Sequence, residues 1–280
     1  MPTFDDKFVA FIDILGFKNR VAAAELGRPQ LSDLLGLLEK FQASSDQEQI
    51  AANGPIACPQ SPCLSRDLGF RATQVSDSLI VSAEVSPAGL ANLLGKCWGV
   101  TVRFLHEAVL CRGYITRGPL FHEGANFIGS GYQRAYEQEP KVAVFGRALH
   151  DGGTPFVEID PVVTEYVAVS GDSCLQKIYD KCILSDGEYA ALFPFSALPQ
   201  SFMIGGIGAG LVDYTAIREG NVGLRNDIEI LKRQLWTDVD KTNARIVAKI
   251  EHYVRALDSQ LDACNEVDRV LEMLGTPRTR

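Results

Sequence analysis

The order of strands and helices that the sequence predicts over residues 5–145, β-α-β-β-α-β, indicates an α+β fold. Three observations support this prediction. A buried apolar strand lies near the N-terminus, two short strands form a hairpin around residue 77, and an amphipathic helix leads from that hairpin into another apolar strand. This order is typical of the ferredoxin-like arrangement, in which helices cover one face of an antiparallel sheet.

The first strand is the apolar run "FVAFIDILGF", which ends near Asp13. A helix is expected from about Pro29, because leucines recur on one face up to Phe41. Residues 43–66 are rich in Ser, Gln, Pro and Gly and have no periodicity, so they predict a long loop.

The hairpin follows this loop. Phe70–Val75 and Leu79–Ser82 predict its two strands, with a tight reversal at residues 76–78. Ser86-Pro87 predicts the start of the second helix, which continues with helical apolar spacing to Ala108. The segment "CRGYITRGPLF" predicts the next strand, and residues 129–139 predict a short helix.

The sequence predicts two domains, a core over residues 1–147 and a C-terminal extension over residues 148–280 that packs on the core. Short strands are expected at Val142–Phe145 and Pro155–Ile159, and helices at Arg225–Trp236 and Asp238–Leu274. The segment "FMIGGIGAGLVDY" does not match a dinucleotide-binding fingerprint, so its glycines predict packing or a turn.

Composition restricts the class of protein. The net charge of −8 and a pI near 5.1 argue against a surface that coats nucleic acid. No stretch is apolar enough to cross a membrane, and no signal peptide is recognisable, so we expect a cytoplasmic protein. Seven scattered cysteines with one close pair, Cys58 and Cys63, argue against zinc and predict reduced, partly buried thiols.

Two aspartates lie at strand ends: Asp13 ends the first strand, and Asp77 lies in the turn that joins the two hairpin strands. In the predicted sheet, Asp13 and Asp77 converge at one edge, although 64 positions separate them (77 − 13). Carboxylate oxygens suit Mg²⁺ or Mn²⁺, which bind one or two carboxylates together with substrate phosphates. The alternatives remain open: Asp13 can cap the following turn, and Asp77 can be an ordinary turn residue.

The residues around these aspartates fit phosphate chemistry. Gly16 lets the backbone N–H groups approach a phosphate chain, and Phe17 and Lys18 follow it directly. Arg112 and Arg117 flank one short strand, and either can neutralise a phosphate. The alternative for both arginines is an ordinary surface ion pair.

Several motifs resemble those of class III nucleotidyl cyclases. "FIDILGF" is similar to the first metal-binding motif of that family, "VSDS" stands at the place of its second aspartate, and "IGSGYQRAYEQE" resembles its catalytic helix. The likeness covers roughly residues 5–145. In detail the sequence most resembles the Pycsar pyrimidine cyclases of bacterial anti-phage defence.

The resemblance implies specific roles. Asp13, Asp77 and the carbonyl group of Ile14 correspond to the ligands of two Mn²⁺ or Mg²⁺ ions, and Gly16 and Phe17 to backbone contacts of the triphosphate. It also implies that the ribose 3′-hydroxyl attacks the α-phosphate and that pyrophosphate leaves. Class III sites form between two protomers, which implies a head-to-tail homodimer with shared active sites.

Three positions depart from the family pattern. Thr73 stands where purine cyclases carry Lys or Glu to read the base, and a neutral hydroxyl suits a pyrimidine. Gln133 corresponds to the transition-state Asn of the family, whereas Glu137 stands at the position of its Arg. The missing cation must then come from Arg134, Arg112 or Arg117, or the site works without one.

The leading hypothesis is therefore a uridylate cyclase that converts UTP to 3′,5′-cyclic UMP, with Asp13, Asp77, Gln133 and Arg117 as catalytic residues and Gly16, Phe17, Lys18, Thr73 and Arg112 as nucleotide contacts. A cytidylate cyclase that makes cyclic CMP from CTP, or a purine cyclase with an unusual selector, is the alternative within the enzyme class. A degenerate nucleotide-sensing or dimerisation module is the alternative from another class. A diguanylate-cyclase or polymerase-palm relative lacks support, because no "GGDEF"-type turn is present.

Overall fold

A computed structural model of the chain describes residues 2–41, 43–145, 153–185, 187, 189–193, 214–237 and 241–275. The chain divides into two compact units, Met1–Pro194 and Phe195–Arg280. The predicted domain boundary at residue 147 thus lies within the first of these units.

The first unit is built on an antiparallel sheet of four strands in the order β2-β3-β1-β4. With its helices, this sheet has the order and connections of the ferredoxin-like arrangement, so the predicted α+β fold is confirmed. The strands are β1 (Asp5–Ile14), β2 (Arg71–Val75), β3 (Ser78–Glu84) and β4 (Cys111–Glu123).

Four helices belong to this core: α1 (Phe17–Glu25), α2 (Leu31–Glu39), α3 (Ala43–Asn53) and α4 (Pro87–His106). The predicted start of α4 is confirmed, because the Ser86 side chain accepts a hydrogen bond from the backbone N–H of Gly89 at 3.0 Å. The loop predicted over residues 43–66 is wrong in its first part. Helix α3 is polar and without periodicity, but Ile50 is buried, and the Gln47 side chain accepts a hydrogen bond from the β2 backbone at Ala72 (3.1 Å).

The two faces of the sheet have different environments. Residues that alternate along β1 from Phe8 to Ile14 face the main apolar core, together with helix α4. The other face carries Val9 and Phe11, which pack against Tyr132 and Ala135. We call this second side of the sheet, which also includes Asp13, the α5 face, after helix α5 (Ser130–Gln138), which covers it.

The chain after β4 extends the same sheet. Strand β5 (Asn126–Ile128) forms a hairpin with β4, and helix α5 (Ser130–Gln138) follows as predicted. Strand β6 pairs with β4 in parallel, and the sheet continues through β8 to β7. The elements after α5 are β6 (Val157–Ile159), α6 (Pro161–Ser170), α7 (Ser173–Cys182), β7 (Ile183–Ser185) and β8 (Ala190–Leu192).

The strand predicted at Val142–Phe145 is not formed. The backbone N–H groups of Ala143 and Val144 donate instead to one carboxylate oxygen of Glu158, at 3.0 and 3.1 Å. These side-chain hydrogen bonds replace a strand partner, so an apolar composition alone was not enough to form a strand.

The described residues of the second unit form two helices, α8 (Tyr214–Leu235) and α9 (Ala244–Gly275), which contact each other. Both were predicted, although α8 begins eleven residues before the expected start at Arg225 (225 − 214). The amide of buried Asn221 donates to the Asp268 carboxylate at 2.6 Å and to the Cys264 carbonyl at 3.0 Å, which joins the helices. Most of the predicted "FMIGGIGAGLVDY" segment lies outside the described residues.

The prediction of reduced thiols is wrong for two cysteines. Cys58 and Cys174 form a disulfide, which connects the loop before β2 to helix α7. Of the other five, Cys63 is exposed and the rest are buried thiols. Their spacing gave no signal of this pairing, because the two cysteines are 116 positions apart and meet only in the folded chain.

Candidate functional site

Asp13 lies at the end of β1 between two polar neighbours. It pairs with Ser78 on β3 and with Arg112 on β4. Because directly opposed residues of antiparallel strands share a face, all three side chains lie on the α5 face. The Ser78 hydroxyl donates to the Asp13 carboxylate at 2.8 Å. The first strand thus presents a half-buried, hydrogen-bonded carboxylate at one edge of the sheet.

The structure brings Asp77 to the same edge. Asp77 lies in the turn between β2 and β3, and its carbonyl group accepts a hydrogen bond from the Ile14 backbone N–H at 3.1 Å. Burial raises the pKa of Asp13 to about 6, and the negative charges of Asp77 and Glu139 add to this rise. The Ser78 hydrogen bond and the Arg112 charge oppose it.

Glu139 is a member of this cluster to which the sequence interpretation gave no role. Its carboxylate accepts a hydrogen bond from Nε of Arg112, and both side chains are largely buried, 9% and 12% exposed. No sequence signal marks Glu139, because it follows helix α5 in a segment where acidic residues normally face solvent. The cluster therefore contains three acidic groups and one guanidinium: Asp13, Asp77, Glu139 and Arg112.

Helix α1 begins directly after this edge. Gly16 is its N-cap residue and has a φ of +77°, a left-handed conformation that glycine adopts without strain. The Gly16 carbonyl accepts from the N–H groups of Asn19 and Arg20, which leaves the N–H groups of Phe17 and Lys18 without a partner inside the helix. The Phe17 side chain is buried in the core, whereas Lys18 is exposed. The backbone here can bind an anion.

Arg117 is not part of the cluster. It lies five residues after Arg112 on β4, opposite Phe8, which places it on the other face of the sheet and about 17 Å along the strand. There its guanidinium donates twice to Asp6, at 2.7 and 2.9 Å, and stacks over the Tyr166 ring at 5.9 Å. An odd spacing on one strand excludes a shared face, and the sequence alone already contained this information.

Thr73 lies on β2 on the same face as Asp13. It pairs with Ile80, which in turn pairs with Phe11, so it is two strands and two residues from Asp13, about 12 Å. Its hydroxyl bonds to His122 Nε2 at 2.9 Å and to the Gly124 carbonyl at 2.6 Å. His122 was not singled out from the sequence.

Helix α5 holds the other predicted residues. Gln133 and Glu137 are exposed on it. Arg134 makes an ion pair with buried Asp160 at 2.8 Å, and the same Asp160 oxygen accepts from the Thr116 hydroxyl at 2.7 Å. Each of the three candidate cations, Arg112, Arg117 and Arg134, thus has an acidic partner.

The oxygen atoms of this cluster can be compared with the ligands that a divalent cation requires. Within the described parts of the chain, no group of three or more His, Cys, Asp or Glu side chains is arranged to hold a metal ion. Asp13 and Asp77 nevertheless supply the oxygen ligands that Mg²⁺ and Mn²⁺ prefer, and for Mg²⁺ one or two carboxylates suffice when substrate phosphates complete the shell. The residues therefore fit a metal that binds together with a nucleotide.

No helix among the described residues is long and apolar enough to cross a membrane.

The solved structures that resemble this chain include two distant neighbours. No family model matches the chain, and no curated protein matches its sequence. A class III adenylyl cyclase-like ATP-binding protein from Pseudomonas aeruginosa is 9% identical over 58% of this chain and 35% of its own, with a TM-score of 0.36. The catalytic core of a rhodopsin-guanylyl cyclase with converted specificity, in complex with ATPalphaS, is 12% identical over 68% and 96%, with a TM-score of 0.37.

The chain spans about a third of the first neighbour's length. Structural similarity with such low identities and TM-scores assigns neither a family nor a substrate to this chain. What the protein does must be argued from its own residues.

Proposed function

We propose that this protein is a nucleotidyl cyclase that converts UTP to 3′,5′-cyclic UMP and pyrophosphate. The observation that carries the proposal is the meeting of Asp13, Asp77 and the start of helix α1 at one edge of the sheet. Carboxylates that bind divalent cations and free backbone N–H groups that bind phosphates are the two requirements of nucleotidyl transfer. The motif resemblance of "FIDILGF" and "VSDS" supports the same reaction.

Asp13, Asp77 and the Ile14 carbonyl group would hold two Mg²⁺ or Mn²⁺ ions together with the triphosphate. When bound, such ions activate the attacking hydroxyl and neutralise the charge of the leaving pyrophosphate. The Ser78 hydroxyl, which donates to Asp13 at 2.8 Å, fixes the orientation of that carboxylate. This is the part that a preorganised site needs before the substrate arrives.

The remaining residues of the proposed site would contact the phosphates, the base and the second protomer. The backbone N–H groups at Phe17 and Lys18 would hold the phosphates, with Gly16 allowing their close approach. Thr73, about 12 Å away on the same face, would contact the base. Gln133 of a second protomer would complete the site in a head-to-tail homodimer.

The proposal extends to a biological role for the cyclic nucleotide. A cyclic pyrimidine nucleotide is a second messenger, and the motif resemblance to Pycsar cyclases supports a role in anti-phage defence in the cytoplasm. A cytidylate cyclase is the alternative with the same site.

A non-catalytic nucleotide-binding module is the second candidate function, and one observation favours it. Arg112, Arg117 and Arg134 are all engaged by acidic side chains, and Glu137 stands at the family's arginine position. No arginine predicted for the transition state is therefore free of an ion pair. Nucleotide binding without release of pyrophosphate would favour this module.

The deciding experiment incubates the purified protein with each of UTP, CTP, ATP and GTP in Mn²⁺ and measures cyclic product and pyrophosphate. We expect cyclic UMP from the wild type and at least a hundredfold loss in Asp13→Asn. Asp180→Asn, which changes an exposed carboxylate of helix α7, is the matched control and should retain activity. Product from none of the four nucleotides would refute the cyclase proposal.

A mixing experiment tests the shared site. Asp77→Ala and Gln133→Ala proteins are each expected to be inactive, because each lacks one half of the site. In a mixed dimer one site keeps both halves, so activity should return to about a quarter of the wild-type level if subunits exchange freely. Failure of subunit-exchanged mixtures to regain activity would contradict the shared site.

A further inference from the structure

The hydroxyl of Thr73 has two protein partners. Its Oγ1 lies 2.6 Å from the Gly124 carbonyl oxygen and 2.9 Å from Nε2 of His122. The second ring nitrogen of His122, Nδ1, lies 2.9 Å from the hydroxyl of buried Ser82. His122 is itself buried, at 2% exposure, and its ring contacts Phe127 edge to face.

These contacts fix the position of the Thr73 proton and of the proton on Nε2. A carbonyl oxygen only accepts, so the single hydroxyl proton of Thr73 must be donated to Gly124. Thr73 therefore has no proton to give to His122, and Nε2 must be the protonated nitrogen of the ring. Nδ1 can accept from the Ser82 hydroxyl in a neutral ring or donate to it in a charged ring, and the burial of His122 favours the neutral ring, with its proton on Nε2. Burial, with the charges of Lys7 and Arg71, lowers the pKa of His122 to about 4, in agreement with a neutral ring.

A threonine oxygen has two lone pairs, and His122 uses one of them. The other is free, and Thr73 is only half-buried on the face that carries Asp13. Toward a ligand, this hydroxyl can therefore act only as a hydrogen-bond acceptor. The sequence alone left Thr73 able to donate or accept, and the structure removes the first of these possibilities.

We propose that Thr73 accepts a hydrogen bond from the N3–H group of uracil, that the Gly124 carbonyl group fixes it as an acceptor by engaging its proton, and that His122 is the positioning residue whose Nε2–H group holds its oxygen in place. The inference rests on the proposed function, since it concerns the base of the nucleotide that the same site binds. Cytosine has an unprotonated N3, so in the same position two lone pairs would face each other. The arrangement thus selects uracil over cytosine at one atom; the Gly124 carbonyl group determines the direction of that selection, and His122 holds the accepting oxygen in place.

The proton positions can be tested without any activity. In protein labelled with ¹⁵N at histidine, we expect His122 to show a protonated Nε2 and an unprotonated Nδ1 at pH 7. The chain has four histidines, and the signal that disappears in His122→Gln identifies this one. A ring protonated at Nδ1 alone would overturn the proposal even if the protein is an active cyclase.

The selection itself is tested with modified bases. The wild type should prefer UTP over N3-methyl-UTP by at least tenfold in kcat/KM, while 5-methyl-UTP, which keeps the N3–H group, serves as the substrate control. Thr73→Val should lower the ratio between UTP and N3-methyl-UTP at least threefold, since it keeps the shape of the side chain and removes the acceptor. Thr164→Val, which removes a hydroxyl from helix α6, should leave the ratio at the wild-type value.

Two replacements of His122 distinguish a role in positioning Thr73 from a purely structural role. His122→Phe removes the donor that holds the Thr73 oxygen, so it should lower the ratio in the same direction as Thr73→Val but by less, whereas His122→Gln, whose amide N–H can replace Nε2, should restore it. An unchanged ratio in Thr73→Val, or a preference of the wild type for CTP over UTP, overturns the proposal. If no nucleotide is cyclised, the same ratios are measured for binding by calorimetry, so failure of the cyclase proposal and failure of this one remain distinct.

Discussion

The buried ring of His122 predicts that the first unit loses stability in mild acid. Its pKa falls from the ordinary value of 6.5 to about 4 in the folded chain, mainly because of burial. Between these two values the unfolded chain binds a proton that the folded chain does not, so stability falls as the pH falls. From pH 7 to pH 5 this one group should cost about 2 kcal/mol, and the loss saturates near 3 kcal/mol below pH 4.

Urea unfolding at pH 7 and pH 5 measures the effect. Other groups titrate in the same range, so the relevant quantity is the difference between the wild type and His122→Gln, whose side chain does not titrate. We expect the free energy of unfolding of the wild type to fall about 2 kcal/mol further than that of the variant. Equal losses in the two proteins would show that folding does not lower the pKa of His122 and would contradict the burial of a neutral ring.

Three further predictions concern the fold and the candidate cation. Gly113→Ala should destabilise the first unit by about 1–3 kcal/mol in urea unfolding, because a Cβ there would overlap the Phe11 carbonyl group of the neighbouring strand. Gly95→Ala, in open space on helix α4, should stabilise the unit by about 0.5–1 kcal/mol. The opposite order of the two effects would contradict the strand packing. Cys58→Ser should lower the melting temperature under non-reducing conditions by removing a cross-link worth about 2–5 kcal/mol, and an unchanged value would contradict the disulfide. Arg134→Gln should lower kcat of cyclic-nucleotide formation at least tenfold, whereas Arg117→Gln should leave it within about twofold; equal effects would contradict the assignment of the two faces.

The core of the fold could be predicted because its signals are local. The apolar run of β1, the reversal between β2 and β3 and the Ser86-Pro87 start of α4 are each determined by residues that are neighbours in the sequence. Helix α3 could not be predicted in this way. Its connections to the rest of the fold, among them buried Ile50, the hydrogen bond from Ala72 to Gln47 and the ion pair of Asp46 with buried Lys96, depend on residues that are brought together by folding.

The same distinction between local and non-local signals applies to the residues of the candidate site. Topology alone placed Asp13 beside the turn that holds Asp77, and the strand register has that geometry. Glu139 and His122 could not be found, because a buried acid and a buried histidine have the same sequence pattern as exposed ones until their partners are known. The cysteine pair at positions 58 and 174 was missed for the same reason.

The exposure of the three arginines determines which of them can exchange its partner for a phosphate. Arg112 and Glu139 are both largely buried, so removing Arg112 from the pair would leave a buried carboxylate without its cation, which is costly. Arg134 is different, because its side chain is 54% exposed and the ion pair is screened by water. Its partner Asp160 is itself buried, but when the arginine leaves it keeps the hydrogen bonds from the Thr116 hydroxyl and from the Val162 N–H group. In the proposed reaction, Arg134 would therefore be the arginine that moves toward a developing negative charge at the lower cost, while Arg112 would remain beside Asp13.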